Sequence, residues 1–298
     1  MDYFKSFKSY LLYEKRASSH TAVSYLTDLK QFTDYLNEYN VEFPEEVEIT
    51  HVRSWLTSLS LHNLKPASIN RKLSSIRTFY RFLRLRGLST KNPFQHIKGL
   101  KKGTKIPTVV KESEIAAFYL KNPAGEGDFK YTRDLLCLDL LYSTGIRRAE
   151  LKMIRQQDVD RSRKTIRVMG KGSKVREIPV SDTLLSGINH YCRLIEAEEF
   201  DIDHPFLLVT DKGHPLYDKF VYLLVKKYLG QMSSVEKKSP HVLRHSFATH
   251  MMDNGASLSA VKDLLGHASL ASTEIYLHHS MKKIKSIYKD ALPRQNKK

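Results

Sequence analysis

The stretch YTRDLLCLDLLYSTGIRRAEL, residues 131–151, decides how the second half of the chain folds. Its apolar residues from Tyr131 to Ser143 predict a strongly apolar helix. Thr144-Gly145 breaks this helix, and a new helix is predicted to start near Arg147. Because the free N–H groups and dipole of a helix N-terminus attract anions, Arg147 is a candidate phosphate ligand. The alternative is a surface arginine that pairs with Glu150 in the first turn.

Two alternating segments follow this pair of helices. Thr165–Met169 and Val175–Val180 alternate like β-strands, and the Gly-rich segment Gly170–Lys174 joins them as a hairpin. Lys171 lies between two glycines, which permit tight backbone geometry and close approach to a ligand. Lys171 is therefore a candidate functional residue, although an exposed turn lysine has the same pattern.

The last third of the chain contains further candidates. His241 and Arg244 lie three residues apart in a predicted helix, so both point to one face. His267 ends the next predicted helix, and Tyr276 lies on the one after it. His241 and His245 have the spacing of metal ligands, but no HExxH glutamate accompanies them, so no metal site is predicted. The helices predicted in this part are near 182–197, 215–229, 240–254, 257–265, 270–279 and 281–291.

These residue types together suit attack on a phosphodiester without a metal. Guanidinium groups neutralise the charge that builds on the non-bridging oxygens. A tyrosine can act as a covalent nucleophile, and a lysine or histidine can protonate the leaving oxygen.

Residues 1–95 predict helices only. The fourth of them carries the basic residues Arg71, Lys72, Arg77, Arg81, Arg84 and Arg86, several of them off its apolar stripe. Such a face is typical either of a solvated surface or of a helix presented to DNA, and we expect it to bind DNA. The four helices are predicted over about Tyr3–Glu14, after Ser18-Ser19, from near Thr50, and from Pro66 to a stop at Gly87.

The composition supports a polyanionic partner. The 298 residues have a formal net charge of +17, and the pI is about 9.6. The excess is spread over the chain, so both halves are available to grip one phosphate backbone. A charge that serves solubility, a ribosomal protein and a membrane-surface protein are the alternatives. Two cysteines favour reduced core thiols, and no apolar run has transmembrane length, which predicts a soluble intracellular protein that binds no membrane.

A Gly- and Lys-rich stretch without apolar periodicity divides the chain. It predicts an interdomain linker over 98–108, between a helical domain at 1–97 and a second domain at 109–298. The expected fold class is mainly α, with a small β-sheet in a mixed α+β second domain.

In order and spacing, four segments of this chain resemble the tyrosine recombinase (phage-integrase-like) family, and most closely the bacterial Xer recombinases. These segments are TGIRRAEL at 144–151, GKG at 170–172, HVLRHSFATHMM at 241–252 and LLGHASLASTEIY at 264–276. The resemblance implies a core-binding domain and a catalytic domain that form a C-shaped clamp on DNA. The departure is Arg148, where members often carry a small or apolar residue.

The resemblance also implies a role for each candidate. Arg147 and Arg244 would bind the phosphate, and Lys171 would protonate the leaving 5′ oxygen. His241 and His267 would be the supporting imidazoles, and Tyr276 the nucleophile that forms a 3′-phosphotyrosyl bond. Neither a metal nor ATP is implied.

The implied function is Xer-type resolution of chromosome or plasmid dimers in the cytoplasm, at the nucleoid. The implied partners are a double-stranded recombination site, a homo- or heterotetramer with a paralogous recombinase, and an FtsK-like DNA translocase. A helix over 281–292 would dock on a neighbouring subunit or pack in cis. The alternatives are an integrase of a mobile element, a tyrosine-type topoisomerase and a DNA-binding protein with a retired active site.

Overall fold

The computed structural model describes residues 2–101, 108–122, 128–170, 174–200 and 203–266. The chain divides into two compact units, residues 1–105 and 106–298. Each unit buries its own hydrophobic cluster. None of the described helices is long and apolar enough to cross a membrane.

The described part of the first unit is helical, as predicted. Ser18 caps the second helix by accepting a hydrogen bond from the backbone N–H of Thr21. Pro66 occupies the first turn of the fourth helix, and Gly87 follows that helix with a φ of +67°, which suits a glycine. The helices are α1 (Tyr3–Ser9), which continues as a π-helical segment (Tyr10–Glu14), α2 (Ser19–Asn37), α3 (Ile49–Leu61) and α4 (Pro66–Leu85).

Aromatic rings form much of this core. The fully buried rings of Phe7, Phe32 and Phe79 contact rings from other elements at centroid distances of about 5 to 6 Å, within the range of attractive pairs. Trp55 from α3 lies 4.7 Å from Phe32 of α2. The apolar stripes of these helices therefore face one another in the core.

The second unit places a three-stranded antiparallel sheet beside helices. The sheet order is β1-β2-β3, and Met169 pairs with Val175 at the end of the predicted hairpin. The elements are α5 (Glu112–Lys121), α6 (Phe129–Thr144), α7 (Arg148–Leu151), β1 (Val159–Asp160), β2 (Thr165–Met169), β3 (Val175–Pro179), α8 (Asp182–Ala197), α9 (Asp218–Met232), α10 (Pro240–Asp253) and α11 (Leu258–Leu265).

The predicted break after α6 positions the candidate site. Gly145 ends α6 with a φ of +61°, a conformation that favours glycine. A Cβ at this position would collide with the ring of Phe247 on α10. The chain can therefore turn sharply against α10 and start α7 beside it only with glycine at this position.

Candidate active site

Arg147 lies at the N-terminus of α7, where the sequence predicted it. It is the N-cap residue of this one-turn helix, and its side chain is 34% exposed. Its guanidinium donates to Glu150 Oε1 at 2.8 Å, and its backbone N–H donates to Glu150 Oε2 at 2.7 Å. Longer contacts of 3.4 Å join it to the carbonyl oxygens of Leu265 and Gly266. The pairing with Glu150 is present, and it keeps a half-exposed guanidinium in place.

Glu150 is the buried carboxylate at the centre of the site. Burial by itself would raise its pKa, but hydrogen bonds from Arg176 and Arg147 outweigh this effect and hold the pKa below its usual value. The carboxylate therefore stays ionised at neutral pH. One negative charge lies among several positive ones here.

Arg244 approaches the same point from α10. Its two terminal nitrogens donate to the carbonyl oxygens of Gly145 at 2.6 Å and Leu265 at 2.8 Å. Only 8% of this residue is exposed. Burial, together with the charges of Arg147 and Arg176, lowers the pKa of Arg244 to about 10, although Glu150 acts in the opposite direction. A positive charge is thus held where water solvates it poorly, and an anion would stabilise it.

Arg176 is a member of this cluster that the sequence reasoning missed. It lies on β3, and its terminal nitrogens donate to both Glu150 oxygens at 3.2 and 2.8 Å. Its Nε donates to the carbonyl oxygen of Leu264 at 2.8 Å. Its position two residues after the hairpin segment that carries Lys171 is the sequence signal that places it near the candidate site. In the sequence, however, it appeared as one polar residue of an alternating strand.

His241 lies at the exposed start of α10, one turn before Arg244. Burial lowers its pKa, and the charges of Lys237, Arg148, Arg244 and Arg147 lower it further. The imidazole is therefore neutral at pH 7. The charges of Arg244 and Arg147 therefore act on the imidazole, which the three-residue spacing predicts on the same face of α10 as Arg244.

Together, Arg147, Arg176, Arg244 and Glu150 carry a net charge of +2. Carbonyl oxygens at the ends of α6 and α11 orient their donors. Such a preorganised set of donors can bind an oxyanion without rearranging. Within the residues that the structure describes, no group of three or more His, Cys, Asp or Glu side chains is arranged to hold a metal ion.

Three of the predicted catalytic residues, Lys171, His267 and Tyr276, lie outside the described residues, as do the helices predicted at 270–279 and 281–292. Gly170, which precedes Lys171, and Gly266, which precedes His267, are described. A Cβ on Gly170 would lie 3.4 Å from Arg176 Nη1, and one on Gly266 would lie 3.1 Å from it. The chain thus reaches the arginine cluster immediately before Lys171 and immediately before His267.

The structure divides the predicted DNA-binding residues of α4 into two groups. Arg71, Arg81 and Arg84 are exposed, and Arg71 pairs with Asp28 of α2. Lys72 is buried, so its placement on the exposed face was wrong. It lies against Asp28 of α2 because that buried carboxylate needs a cationic partner, and its Nζ donates to Asp28 at 3.1 Å. Arg77 is half-buried and donates to the carbonyl oxygen of Ile97.

Comparison with known families matches both halves of the chain. The model described as "Phage integrase family" matches residues 109–283. The model described as "Phage integrase, N-terminal SAM-like domain" matches residues 4–87.

Several similar proteins are named tyrosine recombinase XerC. The one from Listeria innocua is 35% identical over 292 residues, which cover 97% of this chain and 97% of the relative. The one from Staphylococcus saprophyticus is 35% identical over 286 residues, with 95% of each chain covered. The match therefore covers at least 95% of this chain and of each of these two relatives.

Solved structures share the fold. A XerH site-specific recombinase bound to a palindromic difH substrate, in a post-cleavage complex, aligns with a TM-score of 0.71 at 22% identity, covering 92% of this chain and 81% of that one. A lambda integrase dimer bound to a COC′ core site aligns with a TM-score of 0.66 at 15% identity, covering 92% and 98%.

Proposed function

This chain belongs to the phage integrase family and is a site-specific tyrosine recombinase of the Xer type, and from this premise we propose how its own residues cleave DNA. Arg147 and Arg244 bind the non-bridging oxygens of the scissile phosphate. The observation that carries this assignment is the cluster itself, in which two guanidiniums are fixed by Glu150 and by backbone carbonyls and retain excess positive charge.

The reaction exchanges one phosphodiester for another. The phenolic proton of Tyr276 passes to water as the phenolic oxygen attacks the phosphorus, and a 3′-phosphotyrosyl bond forms. The bond from phosphorus to the 5′ oxygen breaks, and Lys171 gives that oxygen a proton. The free 5′-hydroxyl of a partner strand then reverses the step, so neither ATP nor a metal is consumed.

The two imidazoles have supporting roles in this proposal. His241 is neutral at pH 7 in the free protein, and in this proposal its ring N–H donates a hydrogen bond to the phosphate. His267 follows Gly266, whose backbone lies at the cluster, and we assign it to the same phosphate. Both imidazoles stabilise charge that develops in the transition state.

The natural task that we propose is resolution of chromosome or plasmid dimers. The XerC names of the full-length relatives support this task. The DNA complexes of XerH and of the lambda integrase dimer support a duplex partner and assembly of several subunits on DNA. In this proposal, residues 1–97 and 109–298 act as two domains joined by a linker over 98–108, and tetramers work at the nucleoid with an FtsK-like translocase as activator.

Covalent trapping tests the chemistry. Nicked duplexes from the dimer-resolution region of the host chromosome would be incubated with the wild type in EDTA and analysed on a denaturing gel. A nick beside the scissile phosphate lets a short fragment diffuse away, so the phosphotyrosyl adduct accumulates. We expect an adduct with the wild type and none with Tyr276→Phe. Tyr222→Phe, at a half-exposed tyrosine on α9, is the matched control and should retain it.

The possible outcomes separate the alternatives. An adduct that survives Tyr276→Phe would refute the nucleophile assignment. Adducts only on the ends of a mobile element would favour an integrase, and relaxation of supercoiled DNA by a monomer would favour a topoisomerase. DNA binding without an adduct on any duplex would favour a binding protein.

A further inference from the structure

Arg176 contacts three separate segments of the second unit. From β3 it donates two hydrogen bonds to Glu150 of α7 and one to the carbonyl oxygen of Leu264 in α11. Its side chain is 13% exposed. The guanidinium also lies close to the backbone at Gly170 and Gly266. One side chain thus connects the hairpin, the start of α7 and the end of α11.

These contacts depend on the shape of the arginine head group. The planar fork of a guanidinium matches both oxygens of a carboxylate and leaves Nε to point elsewhere, whereas a lysine ammonium binds as a point charge. Gly266 has a φ of +63°, and a Cβ there would lie within 3.3 Å of three Arg176 atoms. The backbone at Gly266 therefore packs closely against the Arg176 side chain.

The consequence for Arg147 follows from the hydrogen bonds of Glu150. Each Glu150 oxygen accepts from both arginines, Oε1 from the guanidiniums of Arg147 and Arg176, and Oε2 from the Arg147 backbone and Arg176. Without Arg176, a buried carboxylate would lose two of these donors and would have to recover them from Arg147. The Arg147 guanidinium would then turn toward Glu150 and away from an incoming phosphate.

We propose that Arg176 is a positioning residue, which holds Glu150 in the orientation that keeps the Arg147 guanidinium aimed at the scissile phosphate. The proposal rests on the phosphate-binding role proposed above for Arg147. It adds a residue that acts through Glu150 and touches no substrate. A geometric error of about 1 Å at such a site costs up to about 100-fold in rate.

The test compares single-turnover cleavage rates at saturating nicked duplex with DNA dissociation constants. Arg176→Gln should cleave about 10- to 100-fold more slowly, with DNA affinity changed less than about threefold. Arg176→Lys restores the charge but not the fork, so it should remain slow. Arg167→Gln removes an exposed arginine from the neighbouring strand and should cleave at the wild-type rate.

A double-mutant cycle separates positioning from general damage to the fold. If Arg176 acts through Glu150, Arg176→Gln combined with Glu150→Gln should be no slower than the slower single variant. If the double variant is slowed by the product of the two single-variant factors, the proposal is wrong. An Arg176→Gln cleavage rate equal to that of Arg167→Gln would also overturn it. If Arg176→Gln does not fold, the same cycle with Arg176→Lys decides. An absence of adduct with the wild type would refute the proposed function instead.

Discussion

Each unit of this protein contains a buried carboxylate contacted by basic side chains. The two clusters differ in the positive charge that remains after the carboxylate neutralises one cation. In the first unit, Asp28 accepts hydrogen bonds from Arg71, Lys72 and Ser75. In the second unit, Glu150 lies among three arginines, and one of these, Arg244, is held by two backbone carbonyls.

The two clusters also differ in where the charge lies. Lys72 is buried, and the more exposed Arg71 is joined to Asp28 by both of its terminal nitrogens, so this cluster links α2 to α4. In the other cluster, the half-exposed Arg147 and the buried Arg244 meet at the ends of α6 and α11. The comparison teaches that a buried carboxylate can either join two helices or orient cations for an anion.

The largest expected effect is on stability, at the first cluster. Asp28→Ala leaves Lys72 buried without its carboxylate partner and should reduce the free energy of unfolding of this unit by about 3–5 kcal/mol. Urea denaturation would measure it, with Asp34→Ala, at an exposed position on the same helix, as the control. A loss of less than about 1 kcal/mol would contradict the structural role.

The next effect is on catalysis, at the second cluster. Arg244→Gln removes a charged group that we propose to bind the scissile phosphate, and it should slow single-turnover cleavage by about 10²- to 10³-fold. Arg193→Gln, at an exposed position on α8, is the control for loss of one charge. Cleavage by Arg244→Gln within about threefold of the control rate would show that this cluster does not bind the phosphate.

Sulfate should distinguish the clusters without DNA. If the second cluster is an anion site, sulfate at about five times its Kd should stabilise the wild type by about 1 kcal/mol more than it stabilises Arg244→Gln. Thermal unfolding in sulfate and in chloride of equal ionic strength would measure this difference. An equal sulfate response in both proteins would indicate a general salt effect. It would contradict the claim that the second cluster is an anion site.

The smallest effect concerns pH. Burial and nearby cations lower the pKa of His241 in the free protein, and a bound phosphate would raise it again. DNA binding would then take up a proton at pH values between the lower pKa of the free protein and the higher pKa of the complex, so affinity should rise as the pH falls from 7.5 to 5.5. The gain should be a few-fold, at most about tenfold, larger in the wild type than in His241→Gln. Equal gains in fluorescence anisotropy titrations would refute this.

The sequence predicted most helices because their apolar spacing and end signals are local. Ser18, Pro66 and Gly145 mark element boundaries through their own backbone chemistry, and the structure places them there. The short helix α5 and the two-residue strand β1 were missed. Strand β1 is only two residues long, which is too short to show an alternating pattern, and it is defined by its pairing with β2.

The candidate site was predicted in part. Arg147 and Arg244 were found from their motifs, and the structure brings them together. Arg176 and the burial of Lys72 were not found, because both depend on a carboxylate from another element: Glu150 for Arg176 and Asp28 for Lys72. Charge patterns along one element show which residues are basic. They do not show which of these residues will form an ion pair with an acidic side chain from another element.

The central claim is that the cluster around Glu150, and not the one around Asp28, holds the scissile phosphate. A crystal structure of Tyr276→Phe bound to the nicked duplex that the wild type captures would test it most directly. We predict non-bridging oxygens of the scissile phosphate within hydrogen-bond distance of the Arg147 and Arg244 guanidiniums, with Glu150 still joined to Arg176. A scissile phosphate bound elsewhere, with no contact to Arg147 or Arg244, would contradict the account.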